Sequence, residues 1–331
     1  MMYRILILSI LLLGFSTMAN AQRYDAPPYA QSGTYAVGTM ELTIEDDNRP
    51  LKVTVWYPAD EAAGDEPVIS YNLTGLLNIP GTGYRDAAVF SDAAPYPLIV
   101  YSHGNNGARV VSSFMTEHLA SQGFIVIAAD HPGNDIAARL AGEADFAEIY
   151  ALRPMDVLRQ IDYAADVLNA KDGALAGLID MAQVGVVGHS FGGWTVLSTA
   201  GARIDMDRLT AYCDDNPGDG VCGTEQLASE IAAIRGYDAV PDSPWEAVSD
   251  PRITAVVALA PWNAPLMELS EVTADTLIIV GSADGTTIPE RDAFPIYERL
   301  QSPRQMMTLQ LADHYIFVDS CLPSKLQHFH A

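Results

Sequence analysis

Six stretches of consecutive apolar residues recur along the chain: "PLIVYSH" (97–103), "FIVIAAD" (124–130), "AQVGVVGHS" (182–190), "ITAVVALA" (253–260), "DTLIIVGSAD" (275–284) and "QMMTLQLAD" (305–313). A strand that reads apolar at every position is buried on both faces. Helical patterns stand between most of these runs. "VVSSFMTEHLASQG" carries Val111, Phe114, Met115 and Leu119 at helical spacing, with Gly123 as its stop. "MDVLRQIDYAADVLNA" sets Leu158, Ile161, Ala165 and Leu168 on one stripe, and a helix runs from Phe191 to about Gly201. "PERDAFPIYERLQ" is helical in character, but Pro295 keeps it short or kinked. Strands alternating with helices demand an α/β fold with a mostly parallel central sheet flanked by helices.

Three segments depart from this rhythm. "MELTIEDD" and "LKVTVWYP" alternate apolar with polar and predict an antiparallel hairpin that opens the domain. Residues 60–97 are rich in Gly, Pro and Ala without a clear period and are expected to be long loops. Residues from about 203 to 251 interrupt the alternation with acids, prolines and two cysteines, and predict an insertion that caps the strand ends. Cys213 and Cys222 enclose "CDDNPGDGVC", which predicts a local disulfide in an exported protein, and Cys321 is left over. No C-x-x-C pair or nearby histidine suggests a metal site.

Export is the expectation from the first residues. Arg4 precedes the apolar stretch from Ile5 to Phe15, and Ala19-Asn20-Ala21 is a small-x-small cleavage site. Residues 1–21 therefore read as a signal peptide and 22–331 as one domain, in a periplasmic or secreted protein. The apolar run is shorter than the roughly 20 residues a membrane span needs, and no later stretch reaches that length. With 42 acidic against 18 basic residues the net charge is −24, which excludes nucleic acid and anionic surfaces as natural partners.

Gly188-His189-Ser190-Phe191-Gly192 fits G-x-S-x-G, with a strand before it and a helix after it. A serine at so sharp a turn takes a strained backbone, and the helix that follows aims its positive end at the serine. The nucleophile needs a base, and the base needs an orienting acid. In this strand–turn–helix setting the chain order is serine, acid, histidine. Of the histidines after Ser190, His314 follows the last strand, while His328 and His330 lie in the terminal "HFHA". His314 is thus the expected base. Asp284, at the end of "LIIVGSAD" and before a turn, is the expected acid. The oxyanion requires donors: the backbone N–H of Phe191, and that of Asn105 in the loop His103-Gly104-Asn105-Asn106-Gly107. His103 is expected to be a structural hydrogen-bonder. Trp262, just past a strand end, is a candidate for lining an acyl pocket, as is Phe191, with core packing the alternative role.

"GHSFGG", "YSHGNNG" followed by "LASQGFIVIAADHPGN", and "LKVTVWYP" together resemble the platelet-activating-factor acetylhydrolase and predicted dienelactone hydrolase group of the α/β-hydrolases. The resemblance runs from about Thr39 to His314. It implies a carboxylic-ester hydrolase with an acyl-serine intermediate and no cofactor or metal, with Ser190, His314, Phe191 and Asn105 in the matching roles. The acid departs from the acetylhydrolase pattern, since "ALAPWNAP" holds no carboxylate where that group places one. Asp284 instead matches the "GSAD" placement of dienelactone hydrolases and many esterases, whereas the serine departs from the cysteine of true dienelactone hydrolases.

The expected function is therefore an exported serine esterase acting on short-acyl, lipid-like or polymeric esters. Thioesterase, acyltransferase or peptidase chemistry on the same scaffold, and a non-catalytic binding protein, are the alternatives.

Overall fold

The computed structural model describes residues 28–60, 68–73 and 78–319. The expected signal peptide, Cys321, His328 and His330 lie outside these residues. Pro28–Ala30 form a 3-10 turn, and a second unit begins at Gly33.

Ten strands of the second unit form one sheet. In chain order they are β1 (Ala36–Ile44), β2 (Leu51–Ala59), β3 (Val68–Asn72), β4 (Asn78–Arg85), β5 (Tyr96–Ser102), β6 (Ile125–Ala129), β7 (Ile179–His189), β9 (Ile253–Leu259), β11 (Asp275–Gly281) and β12 (Arg304–Leu309). The order across the sheet is β12-β11-β9-β7-β5-β6-β2-β1-β4-β3. From β6 to β12 every neighbouring pair is parallel, and β2 joins this block antiparallel to β6. The predicted hairpin is present as β1–β2, with Met40 opposite Val55. Two further short strands, β8 (Arg203–Ile204) and β10 (Met267–Glu268), pair apart from the main sheet.

The apolar runs supply both faces. Leu98 and Val100 pack into one core with Val157 and Ile161 of α3 (Phe146–Tyr163) and Val196 and Leu197 of α4 (Phe191–Thr199). Their neighbours Ile99 and Tyr101 point to the other core, with Ala120 of α1 (Ser113–Ser121). This period of two over fully buried strands is what a doubly covered sheet requires. The helix α2 (Ile136–Ala141) follows β6, and α7 (Ala293–Arg299) is short, with Pro295 in its first turn where a missing N–H costs nothing.

Three expectations need correction. The segment 60–97 is not all loop: β3 and β4 lie in it and extend the sheet edge. They escaped notice because Pro80, Gly81 and Gly83 fill β4 with residues that sheets admit mainly at edges and irregularities. The expected apolar stripe of α1 is not its most buried face, for Phe114 is 51% exposed while Thr116, Glu117 and Ala120 are buried. Glu117 draws the helix round. Its carboxylate accepts from Tyr71 Oη at 2.6 Å and from the Thr82 amide and hydroxyl at 2.9 and 2.7 Å. A buried carboxylate so satisfied is invisible to an apolar pattern. The helix α3 starts well before "MDVLRQ", at Phe146, capped by Asp145, and carries Pro154 inside it. A π turn over Ala164–Leu168 then buries Ala164 and not Ala165.

The inserted region is helical and forms a cap: α5 (Met206–Asp215), a 3-10 stretch (Gly220–Leu227) and α6 (Ala228–Ile234). Cys213 and Cys222 are joined in a disulfide within it. That bond suggests an oxidising, extracytoplasmic environment. Among the described residues no helix is long and apolar enough to cross a membrane. The mixed but largely parallel sheet, its flanking helices and the cap have the arrangement of the α/β-hydrolase fold.

Candidate active site

Ser190 occupies the turn between β7 and α4 with φ 58° and ψ −120°. A non-glycine residue there is strained and persists only where its surroundings hold it. Here they do. The Ser190 amide donates to the Leu259 carbonyl at 2.8 Å. The Ser190 carbonyl accepts from the Gly193 amide at 2.8 Å and from the Trp262 amide at 3.2 Å. The glycines beside it provide clearance. A Cβ on Gly188 would lie 2.1 Å from the Gly192 carbonyl oxygen, and one on Gly192 would lie 2.0 Å from that of Ser102. The Phe191 amide is the first of the helix, and such amides have no partner within the helix.

The other strand ends converge on the same edge of the sheet. After β11 the chain turns through Asp284, whose carboxylate accepts from the amides of Thr286 and Thr287, each at 2.9 Å, and from Thr287 Oγ1 at 2.8 Å. After β12, His314 opens a 3-10 turn capped by Asp313. His314 Nδ1 lies 2.8 Å from Asp284 Oδ2. A carboxylate only accepts, so Nδ1 carries the proton and the lone pair of Nε2 is left free. Burial works to raise the Asp284 carboxyl. The hydrogen bond and charge of His314 and the two turn amides outweigh it and hold the group below the ordinary carboxylate range.

His189, the residue before Ser190, anchors the histidine loop: its Nε2 donates to the His314 carbonyl at 3.0 Å, and the two rings lie 4.6 Å apart. Burial, and next the neighbouring His314, pull His189 down to about 3, so it is neutral at physiological pH. Sequence reasoning gave His189 and Thr287 no role. The second threonine of "GSADGTT" was the available signal for a carboxylate-holding turn.

The loop after β5 faces the serine. A Cβ on Gly104 would stand 3.3 Å from that of Ser190, so only glycine brings the loop this near without displacing a neighbour. His103 is a hydrogen-bonder, with Nδ1 2.7 Å from the Gly104 carbonyl and Nε2 accepting from the His131 amide at 3.2 Å. The Asn105 side chain accepts from Asn134 Nδ2 at 2.6 Å. Trp262 is half-buried: its Nε1 donates to Tyr150 Oη at 3.1 Å, and the Arg291 guanidinium stacks 4.7 Å from its ring. The Tyr150 ring lies 4.8 Å from that of Phe191, and its hydroxyl accepts from Thr224 of the cap at 3.3 Å.

A second Ser–His–Asp arrangement lies behind that loop. Ser102 Oγ is 2.9 Å from His131 Nε2, and His131 Nδ1 is 3.0 Å from Asp156 Oδ2. This is the pairwise geometry of a serine-hydrolase triad, and it supports a serine-hydrolase mechanism as geometry. Access separates the two serines. Ser102 is 0% exposed and Ser190 8%. The Ser102 hydroxyl is also bound by Arg153 Nη2 at 2.8 Å, and Asp156 is paired with Arg49 at 2.9 Å. Burial holds His131 well below its usual range, with Arg153 and Arg49 adding to the effect. Among the described residues no cluster of histidine, cysteine and carboxylate groups is placed to hold a metal.

A family model described as platelet-activating factor acetylhydrolase, isoform II, matches residues 82–149, the stretch that holds the Asn105 loop. A second, described as PET hydrolase-like, matches residues 242–326, the stretch that holds Trp262, Asp284 and His314. Among curated proteins, the platelet-activating factor acetylhydrolase of Canis lupus familiaris is 26% identical over 222 residues, covering 50% of this chain and 50% of that protein. That of Cavia porcellus is 31% identical over 137 residues, covering 31% of each. A probable 1-alkyl-2-acetylglycerophosphocholine esterase of Arthroderma benhamiae is 36% identical over 110 residues, covering 31% of this chain and 27% of that protein. The chain thus spans about half the length, or less, of these relatives. Sheet order, cap, triad geometry and partial matches agree on one statement: the chain carries an α/β-hydrolase-superfamily domain related to platelet-activating factor acetylhydrolase.

Proposed function

We propose that the protein is an exported carboxylic-ester hydrolase in which Ser190 is the nucleophile, His314 the general base and Asp284 its orienting acid. The observation that carries this reading is the strained Ser190 turn, less deeply buried than Ser102, on the sheet edge where the His314–Asp284 pair also stands. Ser102 offers the same residue types but no path for a substrate, and a nucleophile that cannot be reached does no chemistry. In the proposed cycle His314 Nε2 takes the Ser190 proton as Oγ attacks the ester carbonyl. The Phe191 and Asn105 amides stabilise the oxyanion. The alcohol leaves with the proton from His314, and water then releases the acid by the same route.

Short-acyl, lipid-like esters are the favoured substrates, because the curated relatives are acetylhydrolases and an alkyl-acetyl-glycerophosphocholine esterase by name. Trp262 is the apolar wall of the acyl site in this reading, while the Phe191 ring, buried among Tyr150, Trp194 and Arg153, takes the core-packing role. The match of residues 242–326 to a PET hydrolase-like model favours a second reading, hydrolysis of polyesters. The "GSAD" acid position keeps a likeness to dienelactone hydrolases. Export, to periplasm or medium, rests on the apolar N-terminal sequence and the cap disulfide.

Hydrolysis of p-nitrophenyl acetate and butyrate by wild type and Ser190→Ala tests the chemistry, with fluorophosphonate labelling of Ser190 as the direct readout. Equal rates in the two proteins would overturn it. A panel of esters of rising acyl length, with a polyester film beside it, separates the two substrate readings.

A further inference from the structure

The most unusual buried group outside the proposed triad is Arg153 of α3, which is 0% exposed. Its guanidinium makes three hydrogen bonds, all to neutral acceptors. Nη1 donates to Asn134 Oδ1 at 2.6 Å. Nη2 donates to Ser102 Oγ at 2.8 Å and also to the His103 carbonyl. Its Nε is buried without a partner. Asp156, one turn further along α3, is already engaged by Arg49 and His131, and among the described residues Arg153 has no ion pair. A buried cation with no direct ion pair is costly to the fold, and the charge of nearby Asp156 offsets only part of that cost. Burial pulls it down to about 9, which still leaves it charged at neutral pH.

Its contacts all lead to one place. The His103 carbonyl begins the glycine loop that faces Ser190. Asn134, held by Nη1, passes its own amide to the Asn105 side chain at 2.6 Å. The guanidinium carbon also lies 5.1 Å from the centre of the Phe191 ring, within cation–π range. One side chain therefore touches the residue after the serine and, through Asn134, the residue at the loop tip.

We propose that Arg153 is a positioning residue for the oxyanion site, fixing Phe191 and Asn105 relative to each other with its positive charge behind them. The assignment rests on the reading of these two amides as the oxyanion donors. Donors held rigidly where charge develops lower the barrier without reorganising at the moment of reaction. A fixed cation in a low-dielectric interior adds to that preference for negative charge. The same contacts account for the Ser102–His131–Asp156 relay. Neutral His131 orients the Ser102 hydroxyl so that its oxygen accepts from Arg153, making the relay a support for the guanidinium.

The test compares wild type, Arg153→Lys and Asn105→Ala for kcat, KM and inhibition by a trifluoromethyl ketone, whose serine adduct carries an oxyanion. Lysine keeps the charge but cannot span three acceptors. Asn105→Ala keeps its backbone amide and loses only the brace, at a half-exposed position that threatens folding least. Each variant is expected to lower kcat by about 10- to 100-fold, less than or near the loss on deleting a donor outright. KM should stay within about twofold and the ketone should weaken in step with kcat, since the effect is confined to the charged state. A role in stability alone would lower the melting temperature and leave kcat and ketone affinity of the folded fraction unchanged, and that result overturns the proposal. Should Arg153→Lys fail to fold, Asn105→Ala decides by the same readouts. Failure of the underlying reading has a different signature: wild type without esterase activity, or Ser190→Ala as active as wild type, which would remove this inference with it.

Discussion

The imidazole of His314 and the carboxylate of Asp284 meet at 2.8 Å although they come from different strand ends, and Thr287 ties into both: its hydroxyl lies 2.8 Å from Asp284 Oδ2 and 3.2 Å from His314 Nδ1. The carboxylate is therefore held in place independently of the imidazole. Asp284→Asn should keep the fold and lower kcat about 10³- to 10⁴-fold, because an amide can present its N–H to Nδ1 and stabilise the wrong tautomer. Steady-state kinetics on a p-nitrophenyl ester, with KM little changed, checks this. A loss below tenfold would remove Asp284 from the role.

Two serines each stand with a histidine and an aspartate, and substitution separates them. Ser190→Ala should abolish turnover and fluorophosphonate labelling. Ser102→Ala should retain labelling and lose at most about tenfold in kcat, the scale of a disturbed support and not of a missing nucleophile. Labelling that vanishes with Ser102 and survives without Ser190 would reverse the assignment.

The cap disulfide closes a short loop, with the two cysteines nine positions apart. Within it Asp219 accepts from Tyr212 Oη at 2.8 Å and from Arg291 at 3.0 Å, and Arg291 in turn stacks on Trp262. Cys213→Ser with Cys222→Ser should cost about 2–3 kcal/mol from loop-closure entropy. Urea denaturation followed by tryptophan fluorescence measures it, and unchanged curves with and without reductant in wild type would refute it.

Acid should weaken the fold early. Burial keeps His103, His131 and His189 neutral, His189 down to about 3, whereas in the unfolded chain each takes a proton near 6.5. The unfolded state then binds more protons as pH falls below that value, so stability is lost on acidification. Asp292 opposes this: burial raises it to about 6 despite Arg291, so it gains its proton in the folded state first. Asp130, Asp156 and Asp319 are also raised by burial and act in the same sense as Asp292. The three histidines take up protons in the unfolded chain across the window from about pH 7 to 5.5 and set the expected sign, a loss of stability. Denaturation midpoints across that range check the sign, and a flat profile would show that these histidines are not neutral when folded.

What could be read in advance followed from chain-local patterns. The parallel strands announced themselves as apolar runs, and the disulfide as two cysteines around a polar loop. The meeting of Asp284 with His314 was foreseeable from strand–turn order. Groups whose environment is made by distant segments were not legible. Glu117 and Arg153 are charged residues inside the protein, and only their partners on β4 and on the loops after β5 and β6 make that tolerable. The edge strand β4 hid behind its glycines. The relay of Ser102, His131 and Asp156 joins three segments with no motif between them.

The missing side chain of Gly192 has a consequence for how reactivity arises. The start of α4 rests against the bare carbonyl at the end of β5, and nothing larger than hydrogen fits between. Until β5 has paired with β7 that close approach does not exist, and the Ser190 turn lacks one of the contacts packed around it. The shape of this turn is thus a property of the assembled sheet, contingent on a neighbouring strand being home. A half-formed chain carries the same hydroxyl as an ordinary, harmless alcohol.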